Sequence, residues 1–404
     1  MRLHTVAGLG LLLLTGAAAV SQSATDSHAT ARATLDHLAS IATRNLHQIL
    51  PSASRSSPRA STCTKSNTAI RREWGVLNSE EKIAYTNAVL CFQNKTTLTP
   101  ADLVPGARSR FDDFVATHMN QTNSVHYTGT FLAWHRYFTW AYEQALRDEC
   151  GYTGTQPYWD WSKFSNATTS GPVFDGSATS MSGNGIYVAG RGDVVLTLPG
   201  YDDIRLPPGN GGGCVLAGPF KDMTVNLGPV ALALNNGSFA SNGDGFAYNP
   251  RCLKRDMGSA VNDRYGNATS FARLLSDSQD IETFQTTLQG RPGSGEIGVH
   301  GGGHWAIAGD PGGDTFTAPG DPAFYLLHTM IDRTWWTWQM QDPENRLNAI
   351  SGTSTFLNTP ESANTSLETV IDLGFAGNDV YPPTAMSDLM STTAGPFCYT
   401  YDSL

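Results

Sequence analysis

Beyond residue 50 this chain carries six histidines, and they fall into two groups of three: His118, His126 and His135, then His300, His304 and His328. The other four, His4, His28, His37 and His47, all precede residue 50. Each later group is embedded in apolar, aromatic-rich sequence. A neutral imidazole is a borderline-soft nitrogen donor, so two three-histidine sites brought together would suit a pair of copper ions. Such a centre points to the handling of O2. His300 and His304 are spaced i,i+4, so on a helix their rings share a face and can bind one ion. Gly301, Gly302 and Gly303 lie between them, which costs about 2–3 kcal/mol of helix propensity relative to alanine. Metal, packing or both must therefore hold that turn. The stretch is not HExxH, which excludes a zincin at this position. Asp332 lies one helical turn beyond His328, placed to accept the proton of the non-ligating ring nitrogen.

The elements that must carry these residues are helical. Phe111, Phe114, Val115 and His118 form one apolar stripe. A second helix is predicted from Phe131 to about Arg147, with Trp134, His135, Phe138, Ala141, Tyr142 and Ala145 on one broad side. Two histidines on the buried sides of separate amphipathic helices match a bundle metal site, and His126 must arrive from the loop between them. A helix is expected to begin at Asp321-Pro322 and to carry Phe324, His328 and Trp335, with Pro322 in its first turn. Asn78 followed by Glu81 reads as a capping box for a helix ending near Cys91. Residues 160–250 read as loop with short extended segments such as Val194–Leu198, and 258–290 as helical. A glycine-rich turn is expected over 293–303, then a loop to Pro319. The fold class expected is mainly α: a helical bundle core holding a dinuclear copper site, with long loops and minor β.

Composition bounds the function. The 404 residues carry a formal net charge of -10 and no basic stripe, so nucleic acid is excluded as a partner. Arg2, the apolar run Val6–Leu14 and then Gly16, Ala17, Ala18 and Ala19 form the parts of a secretory signal peptide, assigned to residues 1–19. No later run approaches a membrane span, and the expected location is extracellular. Six cysteines in an oxidising compartment predict three disulfides, with 15 pairings open. N-linked glycan acceptors stand at Asn94, Asn120, Asn166, Asn236, Asn267 and Asn364. Residues 20–62 form an N-terminal segment with helical spacing over 31–50 and a Ser/Pro-rich break after it. It either packs peripherally or is a removable pro-segment. One catalytic domain is assigned to 63–404.

Phe131-Leu-Ala-Trp-His135-Arg-Tyr-Phe138 and Pro157-Tyr-Trp-Asp-Trp161 resemble the first copper site of the tyrosinase, catechol oxidase and haemocyanin superfamily. Asp321-Pro-Ala-Phe-Tyr-Leu-Leu-His328, followed by Ile331-Asp-Arg333, is similar to its second site. The resemblance runs from about 63 to 401 and is strongest to short fungal polyphenol oxidases. It implies that His118, His126 and His135 bind copper A and that His300, His304 and His328 bind copper B. It implies that Phe324 packs over the copper B side and that Glu296 holds an ordered water. Tyr399-Thr-Tyr401 resembles the family's tyrosine motif, with Arg71 or Arg72 to pack on it. Three departures matter. Ser124 stands where many fungal members carry the cysteine of a thioether to the second copper A histidine, so no thioether is expected. Gly301 follows the first copper B histidine, where strong monophenolases often carry asparagine. No long C-terminal domain of the kind many fungal tyrosinases carry is expected after the tyrosine motif.

The resemblance therefore implies a catechol oxidase with two copper ions, oxidising o-diphenols to o-quinones and reducing O2 to water. The alternatives are a tyrosinase with monophenolase activity or an o-aminophenol oxidase, then a non-enzymatic oxygen-binding protein. A secreted di-zinc hydrolase is disfavoured, because no bridging Asp or Glu stands at ligand spacing.

Overall fold

A computed structural model describes residues 11–50, 63–378 and 380–402, with side chains described from Ser27 onward. The side chains of the expected leader, residues 1–19, and the whole 51–62 break lie outside the described residues. Helix α1 spans Leu11–Ile49, α2 Ser79–Gln93, α3 Arg110–Val125 and α4 Phe131–Cys150. Local chemistry sets their ends. Asn78 and Glu81 bond reciprocally in the expected capping box, and Ser109 with Asp112 forms a second one at the start of α3. Helix α4 stops at Gly151, whose φ of +67° suits glycine. There the amides of Gly151 and Tyr152 donate back to Arg147 and Leu146.

Three short helices follow: α5 Ser259–Tyr265, α6 Ala268–Asp277 and α7 Ile281–Gln289. Then come α8 Gly298–Ile307 and α9 Ala323–Gln341. Helix α9 is the axis of the molecule. Every residue from Ala323 to Met340 is buried, so it must be covered on all sides. Helices α4, α6 and α8 pack against it, and so does α1. The N-terminal helix buries Ala31, Leu35, Ala39, Ala42 and Leu46 along one stripe. It is further tied down by Arg32, which donates to buried Asp160 and to Ser162. Asn45 adds a bond to the carbonyl of Met340.

The 160–250 region is mainly irregular, as expected, and its strands form only small pairs. Val194–Leu196 pairs with Ile204–Leu206, and Leu232–Ala233 with Phe239–Ala240, both antiparallel. The two ends of the domain close on each other. Ala69–Arg71 runs parallel to Tyr399–Tyr401, and a Cys63–Cys398 disulfide lies beside the pair. Cys91–Cys150 and Cys214–Cys252 complete three disulfides. The mainly helical class is as read from the sequence.

One local expectation changes. The 293–303 glycine-rich stretch is not a turn throughout: residues from Gly298 belong to α8, which continues to Ile307. The reason is close packing. A Cβ at Gly302 would lie 3.0 Å from the Tyr265 Cβ, and one at Gly303 would lie 3.1 Å from both Leu327 and Trp161. Glycine lets α8 approach α5 and α9, and that contact outweighs poor helix propensity. Pro322, with a helical φ of -56°, stands at the start of α9 as expected, and Asp321 Oδ1 accepts from the Ala323 amide there.

Candidate metal centre

Helix α3 delivers His118 from its buried face, and His126 caps its C-terminus with extended backbone (φ -120°). His135 comes from the first turns of α4. Helix α8 supplies His300 and His304, and α9 supplies His328. In each triad the three ring nitrogens lie within 4.8 Å of one another. The triads abut. The rings of His135 and His328 stack with centroids 4.3 Å apart and planes 15° apart. Those of His126 and His300 lie 6.1 Å apart at 27°.

The ring nitrogens fit a metal better than they fit each other. His304 Nε2 lies 3.1 Å from His300 Nε2 and 3.1 Å from His328 Nε2. Three converging neutral imidazoles cannot satisfy one another with the protons they have. A metal–nitrogen bond of about 2 Å places tetrahedral ligands about 3.3 Å apart, so the spacing leaves room for one ion. In the first triad, His118 Nε2 and His135 Nε2 are buried without a hydrogen-bond partner, which native interiors avoid unless something else occupies the site.

The opposite edge of each first-triad ring fixes its tautomer. Nδ1 of His118 donates to the carbonyl of Phe316 (2.9 Å), that of His126 to Thr122 (2.9 Å) and that of His135 to Phe131 (2.8 Å). With the proton on Nδ1, the Nε2 lone pair points into the centre. Burial also keeps the rings neutral. It lowers His126 to about 4 and His304 to about 3. It holds His118, His135, His300 and His328 well below the ordinary histidine value, with neighbouring imidazoles adding to the effect.

The structure corrects the expectation for Asp332. Its carboxylate does not serve His328. Oδ1 accepts from Arg136 Nε at 2.5 Å, and Oδ2 accepts from the hydroxyls of Tyr399 (2.6 Å) and Tyr401 (2.5 Å). The Arg71 guanidinium lies 3.5 Å from Oδ2 and sits 3.7 Å over the Tyr399 ring. Two buried cations and two hydroxyls outcompete a neutral imidazole for this carboxylate. His328 Nδ1 has no hydrogen-bond partner among the described residues. The ring is oriented instead by stacking, between His135 and Phe324, the latter at 4.1 Å and 30°. Arg71, not Arg72, is the tyrosine motif's partner; Arg72 pairs with Glu81.

Phe324 is buried and reaches both triads, with its centroid 5.3 Å from His118 and 5.8 Å from His304. A cavity of about 420 Å³ opens onto the centre and is lined by His118, His126, His300, His304 and Gly301. Glu296 lines it too, but its side chain is 58 % exposed and lies 4.0 Å from Arg264. It stands in solvent rather than deep in the site. Ser124 is exposed, and all six cysteines are in disulfides, so no thiol is left for a thioether.

Other contributors had no signal in the sequence. Tyr127, next to His126, has φ of +50°, a conformation rare for a bulky residue. Gln289 at the end of α7 pins it. The Tyr127 amide donates to Gln289 Oε1 (2.7 Å), and its hydroxyl donates to the Gln289 carbonyl (2.8 Å). The carbonyl of Phe316 is equally invisible in sequence, since every residue has one.

Residues 108–341 match the family model for the common central domain of tyrosinase. "Tyrosinase P" of Aspergillus terreus is 43 % identical over 335 residues, 82 % of this chain and 91 % of that protein. "N-acetyl-6-hydroxytryptophan oxidase" of Emericella nidulans is 38 % identical over 353 residues, 84 % of this chain and 94 % of that protein. The fold matches a solved structure of a mutant polyphenol oxidase from Thermothelomyces thermophila. Its TM-score is 0.83 at 45 % identity, over 91 % of this chain and 97 % of that one.

Proposed function

The chain belongs to the tyrosinase family, whose members are copper oxidoreductases acting on phenols with O2, and from that premise we propose that it is a catechol oxidase. Two o-diphenols give two o-quinones, and O2 takes the four electrons and four protons to become two waters. His118, His126 and His135 would hold one copper, and His300, His304 and His328 the other. The copper pair supplies the redox change when bound. The protein's residues do the rest. In the first triad backbone carbonyls keep the Nδ1 protons in place and Nε2 free. Phe324 and the stacked His135–His328 pair fix the ring planes. The apolar walls of the cavity orient a phenolic ring and limit water.

The observation that carries the diphenol reading is that, among the described residues, no buried carboxylate lines the cavity. Gly301 has no side chain to orient a water, and the cavity's carboxylates, Asp202 and Glu296, are both exposed. A diphenol is acidic and bidentate enough not to need such a base; a monophenol is not. A second reading, monophenol or o-aminophenol oxidation, draws on the relatives named as a tyrosinase and as a hydroxytryptophan oxidase. Oxygen uptake by copper-loaded protein on a monophenol, a diphenol and an o-aminophenol separates them. Dominant diphenol turnover is expected, and rapid monophenol turnover without a lag would refute it. We place the protein outside the cell on the strength of its leader-like N-terminus, its three disulfides and its glycan acceptors.

A further inference from the structure

Four of the six histidines line the cavity, beside many residues that take no part in the centre. A single diphenol ring with its oxygens toward the histidines fills a small part of about 420 Å³, a volume in the range that encloses drug-sized ligands. The outer part is walled by aromatic rings from three separate segments. Tyr201 comes from the connection between the strands Val194–Leu196 and Ile204–Leu206, Phe239 from the neighbouring strand pair, and Phe356 from beyond α9. The two strand pairs are joined by a bond from the Val195 amide to the Leu234 carbonyl, which holds Tyr201 and Phe239 on one surface. Both rings are 47 % exposed, although large aromatic side chains are ordinarily well covered. Tyr201 is not loose. It lies so close to the backbone of Gly293 that a Cβ there would come within 2.8 Å of its ring. Phe356 packs edge-on against Tyr127, centroids 5.2 Å apart, and so links the outer wall to the residue beside His126.

We infer that Tyr201, Phe239 and Phe356 form an outer subsite that stacks the distal ring of a two-ring phenolic substrate while its diphenol ring faces the histidines. This rests on the diphenol reading above and adds a substrate class to it. The charges lining the cavity are mixed, Arg291 against Asp202 and Glu296, so the selection is by shape and apolar contact rather than by a charged tail.

The test compares catechol with a phenyl-substituted catechol on copper-loaded protein, by kcat/KM from oxygen uptake and by calorimetric binding. The two-ring compound should be preferred by about five- to tenfold, the worth of one aromatic contact. Tyr201→Ala and Phe239→Ala should lower kcat/KM for the two-ring compound several-fold more than for catechol, with the loss mainly in KM. Equal preference in the wild type, or equal losses on both substrates, would overturn the subsite. If neither compound is oxidised, the diphenol reading falls. The calorimetric preference then decides the subsite alone: a tighter two-ring ligand supports it, and equal affinities refute it.

Discussion

Asp332→Asn tests how the two ligand-bearing helices are held in register. In the native chain the Asp332 carboxylate joins α9 to Arg136 on α4 and to both tyrosines of the terminal strand. Arg136 directly follows His135, and Asp332 stands one turn past His328, so this pair clamps α4 to α9 beside the triads. Arg71 and Arg136 are both fully buried. Arg71 keeps Glu143 as a second partner, and Arg136 keeps the carbonyl of Met390 and the side chain of Gln339. Removing one member of a buried pair costs about 3–5 kcal/mol. With unfolding entropy of about 2.1 cal/mol/K per residue, 404 residues give about 0.85 kcal/mol/K. A loss of about 4 kcal/mol therefore lowers Tm by about 5 °C. The assay is thermal unfolding of copper-loaded protein together with copper per chain. Lower Tm with two coppers retained is expected. If Asp332 instead supported His328, copper affinity would fall by about 10–100-fold with little change in Tm, and that result would refute the assignment.

Three further outcomes follow from the same structure. Gln289→Ala leaves the Tyr127 amide without its partner and frees a strained residue beside His126; one copper should be lost to a chelator several-fold faster, and unchanged release would show that the pinning is irrelevant. Gly301→Asn should raise the monophenol-to-diphenol rate ratio, at a stability cost of about 1–3 kcal/mol, because its Cβ would come within 2.9 Å of Ile297; a flat ratio counts against a base-orienting role at this position. Cys398→Ser opens a loop of 335 residues, worth about 5–6 kcal/mol in the chain-entropy limit, and should lower Tm by about 6–7 °C while oxidation at room temperature persists; an unchanged Tm would show that strand pairing alone closes the domain.

How much of this was legible in the sequence depends on the kind of interaction. The six histidines could be found because nothing else past residue 50 competed with them, and α3, α4 and α9 because their apolar residues recur at helical spacing. Helix α8 was hidden: its glycines argue against a helix locally, and only the approach of Tyr265, Leu327 and Trp161 explains them. Asp332 was found, but its partner was misassigned. Spacing of i,i+4 predicts adjacency on one helix and says nothing of stronger donors arriving from Arg136, Arg71, Tyr399 and Tyr401. Carbonyl acceptors such as Phe316 have no sequence signature at all. The walls from Tyr201 and Phe239 sit in a region whose short strand pairs are set by long-range contacts rather than by local pattern.

The central claim is that two histidine triads hold a copper pair. Metal analysis of purified protein beside its His304→Ala variant tests it most directly. Two coppers per chain should fall to one in the variant, with diphenol oxidation abolished. Zinc in place of copper, or an unchanged copper count in His304→Ala, would contradict it.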